Sequence, residues 1–165
     1  MARGFSLVEV VVATSLTTVA TLALAQLSIV SVRANRFARS TSVATVMALQ
    51  KLEQLRALTW AFDAAGAPLS GAGLASSPAG ALEQNTASYC DFLDDGGRTM
   101  AGDLSTPPGT AFVRRWSIQP LPGGDALVIQ VAVTPIGPTG ASAQAGPSRS
   151  SEEVRLVGIK TRKSG

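Results

Sequence analysis

Hydropathy divides this chain into two regimes. From Val10 to Val32 every residue is apolar, hydroxylated or, at Gln26, an uncharged amide. That run is about long enough to cross ~30 Å of hydrocarbon as a helix. Past Arg33 the pattern changes. Phe37, Thr41, Ala44, Ala48, Leu52, Leu55 and Leu58 recur at helical spacing, which predicts an amphipathic continuation with one buried stripe. Lys51, Glu53, Gln54 and Arg56 fall largely off that line. No glycine or proline occurs between Phe5 and Ala65. The two residues that helix interiors reject most strongly are therefore missing. One helix from Phe5 to about Leu58 follows, roughly 80 Å long at ~1.5 Å per residue. Thr14, Thr17, Thr18 and Thr21 weaken helix propensity in water but can bond to backbone carbonyls within a membrane helix.

After residue 60 the periodicity shortens. Phe112, Arg114, Trp116 and Ile118 alternate with Val113, Arg115, Ser117 and Gln119. Leu127, Ile129, Val131 and Val133 alternate with Val128, Gln130, Ala132 and Thr134. The turn Leu121-Pro122-Gly123-Gly124-Asp125 lies between them, and the whole reads as an antiparallel hairpin. Glu153 to Thr161 supplies a last strand of ambiguous parity, with a bulge expected at Gly158. Residues 61–110 and 135–151 read as long irregular segments rich in Ala, Gly, Ser and Pro, with a short strand around Ser88-Tyr89-Cys90. The predicted fold class is α+β: a long N-terminal helix, half membrane and half amphipathic, packed on a small antiparallel sheet of three or four strands.

Composition narrows the functional classes. The chain has 165 residues, no histidine, one cysteine and a formal net charge of +3. Without histidine no Ser-His or Cys-His nucleophile can be assembled, and zinc sites of the usual kind lack ligands. No enzyme, cofactor or metal requirement follows. A single cysteine, Cys90, forms no internal disulfide, which leaves a buried small apolar residue, a free thiol or an intermolecular pair.

The segment Arg3-Gly4-Phe5-Ser6-Leu7-Val8-Glu9 adds chemistry. A carboxylate at the threshold of a membrane helix is costly unless it has a partner, and Glu9 has no basic neighbour in the following turns. A secretory signal peptide has a shorter apolar core and a small-residue cleavage site after it. The segment resembles the leader of the type IV prepilin family, in which a short basic leader ends in Gly and Glu is the fifth mature residue. The resemblance implies that residues 1–4 form a leader and that prepilin peptidase cuts between Gly4 and Phe5. It also implies that Phe5 becomes N-methylated, and that Glu9 pairs with the amino terminus of a neighbouring subunit. It divides the chain into a membrane or filament-core helix (5–32), an amphipathic half (33–60) and a periplasmic pilin-like β domain (61–165).

A narrower resemblance, to PilV-type minor pilins and secretion pseudopilin I, rests on Met47 to Arg56, Phe112 to Trp116, Leu127 to Val133 and Val154 to Thr161. Gln26 stands where major pilins typically carry proline, and the two cysteines of a closed C-terminal loop are missing. Both departures favour a minor subunit. The implied role is a non-catalytic structural subunit of a tip or initiation complex, anchored in the bacterial inner membrane and then placed in the pilus. Its implied partners are other minor and major pilins, prepilin peptidase, the assembly platform and membrane lipid. A type II secretion pseudopilin is the alternative, and an anchored binding domain that never polymerises is a more distant one. The positive-inside rule places Arg33, Arg36 and Arg39 in the cytoplasm, whereas the resemblance implies the opposite orientation.

Two further clusters bear weighing. Asp91, Asp94, Asp95 and Asp103, with Gly96 and Gly97, form an acidic stretch that offers oxygen ligands to calcium. Its spacing differs from the usual loop, and a solvated turn explains it as well. Arg149, Arg155, Lys160, Arg162 and Lys163, joined by Arg114 and Arg115, offer cations to DNA phosphates. Charged protection of strand edges accounts for the same residues.

Overall fold

A computed structural model describes residues 6–62, 68–70, 73–102, 104–136 and 153–161. The chain forms two compact units, residues 1–39 and 40–165. Helix α1 runs from Leu7 to Ala57, within two residues of the expected span. In the first unit its surface is uncovered: Leu7, Leu16, Val19, Leu22, Leu24, Leu27 and Val30 are all exposed. Exposed apolar surface on this scale marks a site of contact with lipid or with other protein. The helix is long and apolar enough to cross a membrane, with a mean hydropathy of 1.9 in its most apolar window. Inside that stretch Thr14, Ser15, Thr17, Thr18, Thr21 and Ser28 turn their hydroxyls back onto carbonyls three or four residues earlier. The hydroxyl groups thereby cost little in hydrocarbon.

In the second unit the later turns of α1 lie on a five-stranded antiparallel sheet. Its strands are β3 (Cys90–Leu93), β4 (Thr99–Met100), β5 (Phe112–Pro120), β6 (Ala126–Pro135) and β7 (Val154–Thr161), in the order β4-β3-β5-β6-β7. A separate two-stranded hairpin joins β1 (Trp60–Phe62) to β2 (Pro68–Ser70). The sheet exceeds the three or four strands expected. The extra strands come from the stretch read as irregular, where β3 pairs Asp91 with Arg114 and Phe92 with Val113. The strand expected around Ser88 begins only at Cys90. Ser88 has a left-handed φ of 67°, and the Tyr89 amide donates back to the Thr86 carbonyl, so those residues form a turn.

The β5–β6 hairpin matches the alternation closely, with Trp116 opposite Val131 and Ile118 opposite Ile129. Gly123 and Gly124 both take positive φ in its turn, where side chains would be strained. Ala44, Met47, Ala48, Leu52 and Leu55 of the helix meet Phe112, Trp116, Ile118, Leu127, Ile129, Val131 and Val133 in one core. Phe37, included in the predicted stripe, is exposed, and Met47 takes a core place that the stripe omitted.

No bulge occurs at Gly158. The β6–β7 register is continuous from Ala126↔Thr161 to Val133↔Val154. The glycine instead lets the helix approach, since a Cβ at that position would stand 3.0 Å from a Leu52 methyl. Parity is settled with it: Leu156 and Gly158 face the helix, while Val157 and Ile159 are exposed. Gly158→Val should cost about 1–3 kcal/mol by overpacking, measurable as a lower denaturation midpoint. An unchanged midpoint would mean that the helix does not sit close over β7.

Candidate functional site

At the N-terminal end, Glu9 lies in the first turn of α1, exposed and within the apolar segment. Ser6 and Glu9 have the spacing of a capping box, a local reason for an acid at this position. The reciprocal bond is missing. Among the described residues the Glu9 carboxylate has no hydrogen-bond or ion-pair partner. Gly4 and Phe5 lie outside the described residues.

The second unit contains a charge cluster between helix and sheet. Asp91 of β3 accepts from Arg114 Nη2 at 2.7 Å and from Lys51 Nζ at 3.1 Å, both on Oδ2. The side chains of Lys51, Arg114 and Asp91 are only 11%, 7% and 19% exposed. Arg114 Nη1 also donates to the Met47 carbonyl at 3.2 Å, while its Nε has no partner among the described residues. Lys51 Nζ lies 3.6 Å from the centroid of Trp116, whose ring tilts against Tyr89 with centroids 6.3 Å apart. Burial lowers the Lys51 pKa from its usual value, and the Asp91 carboxylate opposes that shift. The cluster clamps helix to sheet with two cations on one carboxylate.

Lys51 therefore belongs to the packed face, not off the stripe. Its spacing of three from Ala48 and four from Met47 was the available signal, and a lysine stem packs well beneath a charged tip.

On the opposite face of the sheet, residues 78–83 line a cleft with Ser117, Gln119, Gln130 and Arg155. Arg115 donates to Asn85 Oδ1 from Nε at 3.0 Å and from Nη2 at 2.8 Å, and Asn85 Nδ2 donates to the Leu104 carbonyl. Arg114 and Arg115 are both buried, so neither joins a surface patch for DNA. Of the other proposed DNA contacts, Arg155 pairs with Glu153 at 3.0 Å and Lys160 Nζ donates to the Arg56 carbonyl. Arg149, Arg162 and Lys163 lie outside the described residues.

The acidic stretch does not converge. Asp91 is engaged by two cations, Asp94 accepts from the Arg98 amide at 2.8 Å, and Asp95 is exposed on the turn between β3 and β4. Asp103 lies outside the described residues. Among the described residues no group of three potential ligands comes together to hold a metal. Cys90 is a free, half-buried thiol, opposite Arg115 across β3 and β5. Burial raises its pKa, which keeps it protonated and slow to react near neutral pH.

No family model matches the chain, and neither curated proteins nor solved structures gave a significant match.

Proposed function

We propose that this chain is a minor type IV pilin: a non-catalytic subunit cut after Gly4, methylated at Phe5 and anchored by one helix in the inner membrane. Its C-terminal domain lies in the periplasm, and the subunit enters the tip or initiation complex of a filament. The observation that supports this most is Glu9, a carboxylate without a described partner in the first turn of an uncovered apolar helix. In hydrocarbon a charge there needs a counter-charge, and the amino terminus freed on an adjacent subunit supplies one. The small α+β domain, with its helix clamped by Lys51, Asp91 and Arg114, suits a building block better than a catalyst.

Glu9→Val tests the assignment. Cleavage should proceed normally, because the peptidase acts before the charge pair forms. Recovery in the sheared filament fraction should fall by at least about tenfold, since breaking a pair in low dielectric costs several kcal/mol. Equal recovery of wild type and variant would remove Glu9 from assembly.

A further inference from the structure

A band of positive charge closes the first unit. Arg33, Arg36 and Arg39 occupy consecutive turns of α1, and the unit ends at Arg39. All three are exposed, and among the described residues none has a hydrogen bond or an ion pair. No aspartate or glutamate lies between Glu9 and Glu53. The nearest acid along the helix therefore stands about 20 Å from Arg39 at ~1.5 Å per residue. The helix itself supplies these cations with no counter-charge.

Their position selects the anion. The uncharged run over residues 10–32 covers ~34 Å as a helix, slightly more than the ~30 Å of hydrocarbon. The two headgroup layers together add ~10–15 Å. Arg33 then stands where hydrocarbon ends, with Arg36 about 5 Å and Arg39 about 9 Å farther along. Cα–Cβ bonds in a helix tilt toward its N-terminus, so side chains that follow the apolar run start back toward it. Their long stems carry all three guanidinium groups to the phosphate layer. At ~100° per residue they share a sector about 120° wide.

We infer that Arg33, Arg36 and Arg39 bind the phosphates of anionic phospholipids, in the leaflet nearest the C-terminal domain. A guanidinium forks onto phosphate oxygens with two parallel N–H bonds, a geometry that a lysine lacks. A zwitterionic headgroup brings its own cation, whereas a net anionic one leaves a charge for arginine to meet. Phe37, apolar yet 46% exposed, lies between Arg36 and Arg39 and borders the same interface. Under the orientation proposed above, the positive-inside bias works against these cations, and lipid binding is a reason for their presence there. Such binding needs only that α1 spans a membrane. Cleavage at Gly4 and entry into a filament play no part in it.

Counting retained lipids tests this. Full-length protein is reconstituted in bilayers of equimolar phosphatidylglycerol and phosphatidylcholine with identical acyl chains. It is then extracted in mild detergent, and its retained lipids are identified by native mass spectrometry. Wild type should retain phosphatidylglycerol over phosphatidylcholine, and each single arginine-to-glutamine variant should lower that preference by up to about fivefold. The triple variant Arg33→Gln, Arg36→Gln, Arg39→Gln should carry both lipids equally. Arg56→Gln, farther along the same helix, should keep the wild-type ratio.

Equal ratios for wild type and the triple variant, or for wild type and all three single variants, would overturn the assignment. An equal loss in Arg56→Gln would also overturn it, because attraction would then follow overall charge and not this band. Loss of phosphatidylglycerol from wild type in millimolar inorganic phosphate, at constant ionic strength, would mark a site for free phosphate and exclude lipid as its ligand.

Discussion

Asp91→Ala is expected to lower the unfolding free energy by about 3–5 kcal/mol, the usual cost of leaving a buried charge without its partner. Two cations converge on Asp91 Oδ2, at 2.7 and 3.1 Å, and both are nearly buried. Removing the carboxylate leaves like charges facing each other beneath the helix, with Arg114 Nε already lacking a partner among the described residues. Denaturant unfolding followed by tryptophan fluorescence reads the loss, because Trp116 sits directly under Lys51. Asp91→Asn combined with Lys51→Met should recover part of it by removing one of the stranded charges. A loss below about 1 kcal/mol, as for an exposed pair, would show that the cluster is hydrated and does not clamp the helix.

Trp116→Ala should be of similar size, about 3–5 kcal/mol, as for other large-to-small changes of buried aromatics. Trp116 is 5% exposed and forms the floor beneath Lys51. It also faces Tyr89, whose hydroxyl donates to the Ala75 carbonyl at 3.0 Å. Losing the ring opens a cavity between helix and sheet and removes the surface on which the lysine stem and ammonium rest. Trp116→Phe keeps most of the apolar contact and should cost well under half as much. Equal losses for the two variants would mean that the indole is valued for something other than filling the core.

Elements written by local periodicity were legible in the sequence. The helix and the β5–β6 hairpin follow from spacing alone, because a helical stripe, a strict alternation and a Gly-Gly turn need no distant partner. Elements that depend on long-range contact were not. Strand β3 has four residues, one of them an aspartate, and its pairing with Arg114 joins positions 23 apart. Alternation puts Arg114 and Arg115 on opposite faces but does not show that both faces are covered, one by α1 and the other by residues 78–83 and Asn85. A bulge, expected at Gly158 from the sequence, is one of two usual reasons for a strand glycine. The other, close approach of a helix, is the one that applies. Lys51 falls off the stripe counted along the apolar residues, although its position lies on the packed face. Glu9 was legible as a chemical anomaly from its setting alone.

The most direct test is the intact mass and N-terminal sequence of the mature polypeptide purified from membranes or filaments. A minor pilin begins at Phe5, carries one methyl group on its amino nitrogen and retains the whole apolar helix. A polypeptide that still begins at Met1, or that has been cut beyond Val32, would contradict the assignment.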